Sequence, residues 1–140
     1  MSPFSTYLYD LRTRHGLRQG ELAVRLGYEQ SYISALELGT KGPPTDEFVS
    51  KLIQVLDLEI DEQEVLLKAI QESQRKYLVP NTAPADVFKL VSELWGALET
   101  LHPAQVAMMR DMIHLKSQLQ TPCRPDIGRV HRKRREVAKM

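Results

Sequence analysis

The chain has 140 residues, 42% of them hydrophobic and 26% charged, with a formal net charge of +1. That composition suits one modest globular core, or one small domain with an appendage. No apolar run approaches the roughly 20 residues that span a bilayer, and Met1-Ser2-Pro3-Phe4 is no signal peptide, so a cytoplasmic protein is expected. The single cysteine, Cys123, excludes an internal disulfide framework and a cysteine-rich zinc site.

Helical spacing dominates, and no alternating strand pattern or internal repeat is present. Ser2-Pro3 is a cap followed by proline at the first helical position, opening a helix that runs to about Arg14 and ends at His15-Gly16. A short helix follows from Arg18 to Leu26 and stops at Gly27. The next runs from Gln30 to Leu38 and stops at Gly39. After the loop Gly42-Pro43-Pro44, Thr45 caps a helix to about Leu56. Asp61, with Glu64 three residues on, has the spacing of a capping box and predicts a fifth helix reaching Tyr77.

Val79-Pro80-Asn81-Thr82-Ala83-Pro84 reads as a linker or sharp corner. Beyond it Val87, Leu90, Val91, Leu94, Leu98 and Leu101 form a stripe at spacings of three and four. Pro103 opens a last helix, capped by His102, with Val106, Met109, Met112 and Ile113 on one face. The expected organisation is a domain at 1–77, a helical dimerisation or partner region at 78–123 and a basic tail at 124–140. The charge follows these divisions. Residues 45–77 carry eight acidic against four basic side chains, whereas residues 124–140 carry seven Lys or Arg against Asp126 and Glu136.

The informative stretch is GLRQGELAVRLGYEQSYISALELGTKGP, Gly16 to Pro43. Two short helices joined by a tight turn must cross closely. Leu22 and Leu26 point inward from the first, Ala23 is small at the crossing, and Gly27 supplies a turn residue for which positive φ is cheap. Ile33 and Leu36 then face back onto the first helix. At 100° per residue Gln30, Ser31, Ser34 and Ala35 share the opposite face, leaving it available to a DNA major groove. Demands this separate, met at this spacing, mark a helix-turn-helix.

On these residues the stretch resembles the Cro/cI-type (XRE) helix-turn-helix of phage and bacterial repressors, over about Phe4 to Leu58. The resemblance implies an all-α fold, with a five-helix, lambda-repressor-like DNA-binding domain followed by a C-terminal helical pair. Relatives of this kind are standard examples of docking in the major groove, so that geometry comes with the resemblance. It further implies that Gln19 binds a phosphate and braces the recognition helix, and that Gln30 and Ser31 reach base edges. By the same comparison Ala35 takes a further base-facing position, Thr40 and Lys41 approach phosphate, and Glu37 pairs with Arg12. Three residues depart from the family's habit. Glu29 stands where a serine or threonine cap is common, Gly20 replaces a better helix former, and Leu38 replaces a common polar residue.

The function expected is therefore sequence-specific binding of a double-stranded DNA operator by a homodimer, used most often for repression. The alternative is an antitoxin-type protein that grips a toxin through its C-terminal helices and regulates its own promoter. The dimer or partner seam is assigned to Leu90, Leu94, Trp95, Leu98, Leu101, Met109, Met112 and Ile113. Trp95 and its stripe could also line a ligand site, and the basic tail is either an arm on DNA phosphates or a solubilising segment. Tyr28 and Tyr32 either stack on backbone sugars or cover the turn. His102 and His114 lack an acidic or cysteine partner at ligand spacing, so no metal and no cofactor are expected, and no catalytic constellation points to an enzyme.

Overall fold

The computed structural model describes residues 1–115, which form seven helices and no strand, as the all-α expectation requires. The basic tail and Cys123 lie outside the described residues. The chain divides into two compact units, Met1–Leu78 and Val79–Met140. No helix among the described residues is long and apolar enough to cross a membrane.

The first unit contains α1 (Pro3–Arg14), α2 (Gln19–Leu26), α3 (Gln30–Leu38), α4 (Asp46–Val55) and α5 (Ile60–Glu72). Local chemistry sets most of their ends. Ser2 Oγ accepts the Ser5 N–H at 3.2 Å ahead of Pro3, and Arg12 and Arg14 place positive charge at the far end of α1. The Arg18 N–H donates to the Glu21 carboxylate at 2.8 Å, fixing the entry to α2. Thr45 Oγ1 accepts the Phe48 N–H at the start of α4. Gly27 and Gly39, at φ 75° and 77°, end α2 and α3 in the left-handed conformation.

Phe4, Leu8 and Leu11 recur at helical spacing on the inner face of α1 and are completely buried. Leu22, Ile33, Leu36, Phe48, Leu52 and Leu66 join them from the other four helices. Each such side chain contributes roughly 1.5–3 kcal/mol of transfer free energy. α1 packs on α3 and α5, while α2 packs on α3 and α4, so α3 lies against both the first and the second helix.

α5 departs from the sequence expectation at both ends. It begins at Ile60 with Glu59 in the cap position, so Asp61 sits in its first turn instead of capping it. Burial of Leu58 draws the preceding chain inward, and Gln63 Nε2 donates to the Leu58 carbonyl at 2.8 Å. The helix stops at Glu72, well short of Tyr77, with Ser73 as its C-cap. Its hydroxyl donates to the Ala69 carbonyl at 2.6 Å and accepts the Phe4 N–H at 2.8 Å. Ser73 thereby satisfies a first-turn N–H of α1 from 69 residues away.

The second unit contains α6 (Ala85–Ala97) and α7 (Pro103–His114). α6 ends before the apolar stripe does. The Thr100 N–H and hydroxyl both donate to the Ala97 carbonyl, turning the chain ahead of Leu101. His102 Nδ1 accepts the Ala104 N–H, and Gln105 Oε1 accepts the His102 N–H, a reciprocal cap on α7. Neither helix has a buried residue.

Ser73→Ala should lower stability by about 1–3 kcal/mol, since the Phe4 N–H stays buried without an acceptor. Urea denaturation followed by circular dichroism measures this, and an unchanged midpoint would mean water takes over the bond.

Candidate nucleic-acid interface

α2 and α3 form two short helices in close contact across the turn at Gly27. Leu22, Ala23 and Leu26 from one side meet Ile33 and Leu36 from the other, all nearly or completely inaccessible. The Tyr28 N–H donates to the Ala23 carbonyl at 3.0 Å, closing the left-handed turn. Gly27 itself adopts φ 75°, so the structure brings these six motif residues together where α2 and α3 cross.

The position of α3 is fixed by a polar knot at its inner face. Glu37 is 4% exposed, yet its carboxylate is fully engaged. Arg12 Nε donates to Oε1 at 2.5 Å, Arg12 Nη2 to Oε2 at 3.1 Å, and Gln19 Nε2 to Oε2 at 2.8 Å. Arg12 Nη1 also donates to the Leu17 carbonyl at 2.8 Å. One guanidinium thus ties α1 to α3 and to the loop before α2, and the fork matches both carboxylate oxygens. The hydrogen bond to Glu37 holds the Arg12 guanidinium above its ordinary pKa, outweighing the opposing effect of burial. The Gln19–Glu37 bond was not foreseen as such. The family resemblance implied Gln19 as a brace on α3 but did not supply its partner.

The outer face of α3 has the opposite character. Gln30 and Ser31 are exposed, and Ser34 and Ala35 are half-buried beside them. A methyl group placed on Gly20 would lie 3.6 Å from Gln30 Oε1, an ordinary contact, so the Gln30 amide lies over the start of α2. Thr40 and Lys41 are exposed at the other end, and both of their N–H groups donate to the Ala35 carbonyl, which folds the chain back over the last turn of α3. Arg75 adds a bond to the Gly39 carbonyl.

Beside this face the sequence reading missed a cluster. Tyr28 and Tyr32 stack with ring centroids 5.1 Å apart, and Phe48 meets both edge-on. The Lys51 ammonium lies over the Tyr28 ring at 5.1 Å and that of Lys41 over Tyr32 at 5.5 Å. The two tyrosines therefore cover the turn, and burial raises the pKa of Tyr32. The four-residue spacing of Tyr28 and Tyr32 was the available signal; the approach of Phe48 and Lys51 is tertiary.

The residues assigned to a partner seam remain open to solvent. Leu90, Trp95, Leu98, Met112 and Ile113 are exposed, and Leu94, Leu101 and Met109 are half-buried. Among the described residues no group of three or more His, Asp, Glu or Cys side chains could hold a metal ion.

Residues 8–63 match the family model described as helix-turn-helix. A solved structure of a SinR protein/SinI protein complex is similar at 20% identity and a TM-score of 0.40, over 82% of this chain and 98% of that one. No curated protein matches.

Arg12→Ala and Glu37→Ala should each cost about 3–5 kcal/mol, because each strips a buried ionic group of its partner. The double variant should cost less than the sum, by about 0.5–3 kcal/mol. Denaturation of the four proteins closes the cycle, and additive costs would remove the brace from the account of α3.

Proposed function

We propose that this chain, whose residues 8–63 belong to the Cro/cI-type (XRE) helix-turn-helix family of DNA-binding regulators, is a sequence-specific transcriptional repressor that binds its operator as a homodimer. What supports it is the contrast between the two sides of α3. The inner side is fixed by Glu37, Arg12 and Gln19, while the outer side offers Gln30 and Ser31 to solvent with no structural task that would withhold them.

Gln30 supplies an amide that bonds adenine N6 and N7 together, and Ala35 offers a methyl suited to the thymine methyl. Ser31 and Ser34 add hydroxyls that discriminate weakly. Thr40 and Lys41 follow the helix as phosphate contacts, which set register without carrying sequence. Lys41 enters this role already ordered by the Tyr32 ring and by its N–H bond to Ala35. Adenine or thymine is therefore expected near the centre of each half-site.

Dimerisation is assigned to the second unit. Leu90, Trp95, Leu98, Met112 and Ile113 present apolar surface that neither α6 nor α7 covers, and a second copy of the same two helices is the simplest cover under two-fold symmetry. Two half-sites about 10 base pairs apart, or a multiple of that, would follow.

Gln30→Ala should weaken operator binding by about 1–3 kcal/mol and relax preference at one base position. Selection from randomised DNA reads both effects, and an unchanged motif would remove α3 from the readout. Leu94→Asp combined with Leu98→Asp should leave a folded monomer with weak operator affinity. Sedimentation checks it; a wild-type monomer at micromolar concentration would overturn the homodimer and favour a protein partner of another kind on α6 and α7.

A further inference from the structure

Glu29 occupies the N-cap of α3, where its carbonyl accepts the Tyr32 and Ile33 N–H groups, but its side chain accepts no hydrogen bond from the first turn. It is exposed, and its Oε2 lies 3.4 Å from the Ser31 hydroxyl, a long contact that marks position more than strength. The carboxylate therefore sits at the tip of α3 on the side of Ser31, next to the residues assigned to base edges. Such a charge suits the positive end of a helix dipole in solution. Against DNA it costs affinity at every sequence, because the groove is walled by phosphates, unless a donor in the groove compensates it.

Only two bases offer a donor in the major groove, adenine through N6 and cytosine through N4. On adenine the donor stands beside the N7 acceptor, which repels the second oxygen of a carboxylate and suits an amide such as that of Gln30. Cytosine N4 has no such acceptor next to it on its own base, and carboxylates are its natural acceptors. We infer that Glu29 is a specificity-determining residue that selects cytosine at a position adjacent to the one read by Gln30. The inference rests on the proposed operator-binding function.

The test is selection from randomised duplex DNA by the wild type, Glu29→Gln, Glu29→Ala and Gln30→Ala, followed by affinities for the selected sites. The wild type should enrich cytosine at one position next to the position that Gln30→Ala relaxes. Glu29→Gln should lose that cytosine and keep the rest of the motif. Glu29→Ala should bind the cytosine-bearing site roughly ten-fold or more weakly, with little change on a site already lacking it. If both Glu29 variants keep the wild-type motif and bind every sequence more tightly, the carboxylate is merely repulsive and the inference falls. If the wild type enriches no motif at all, the proposed function falls first and the inference with it.

Discussion

A carboxylate taken out of water costs several kcal/mol unless its oxygens find donors of the right geometry. Glu37 meets that requirement with Arg12 on one helix and Gln19 on another, and much of the first unit is arranged around doing so. The guanidinium must lie flat against the carboxylate, which fixes the distance of α1 from α3. Its remaining N–H reaches the Leu17 carbonyl, which fixes the loop leading into α2. Apolar packing from Leu22, Ile33 and Leu36 supplies bulk stabilisation but tolerates small rotations about the helix axes. The charged fork tolerates few. In the proposed DNA-binding role α3 has to hold side chains in place against base edges, and there a directional contact on its inner face would serve readout better than apolar packing alone.

How much of this the sequence discloses depends on whether a feature is local. Gly27 and Gly39 bracket α3 because both need positive φ, and Ser2 and Thr45 cap with their own hydroxyls; each is a decision taken within a few residues. The bounds of α3 were legible for that reason. The end of α5 was not: no glycine or proline marks it, and the bond its C-cap Ser73 makes to the Phe4 N–H spans 69 residues, beyond any window of neighbours. The same holds within the site. Gln30 and Ser31 follow from the helical wheel, whereas the pairing of Arg12 with Glu37 came through family resemblance. The stacking of Lys51 on Tyr28 had no signal in its surroundings beyond an ordinary spacing to Glu47.

The two units solve the problem of apolar surface differently. In the first, completely buried side chains come from all five helices, and the polar groups drawn in with them are bonded; among the described residues no buried side-chain nitrogen or oxygen lacks a partner. In the second, α7 carries the reciprocal cap of His102 and Gln105 while α6 has no side-chain cap, and neither helix holds a buried residue. Caps contribute on the order of 1 kcal/mol each, too little to hold a short helix in water without packing. Two such helices without a buried residue are in the condition expected of a segment that completes its core through association.

Association also bears on what α3 can achieve. A bidentate base contact discriminates by about 1–3 kcal/mol, and one head offers at most two or three contacts of that quality. A genome supplies on the order of 10⁶–10⁹ competing sites, so one head alone leaves the operator poorly distinguished. Joining two heads adds their discrimination on a single site, provided each presents α3 in a fixed orientation. If α3 were loosely held, part of that gain would be lost in ordering it on binding. In the proposed operator-binding dimer, the Glu37 brace within each head and the exposed faces of α6 and α7 would be two halves of one requirement. The first would limit what is lost in ordering α3 on DNA, and the second would let two heads act on one site.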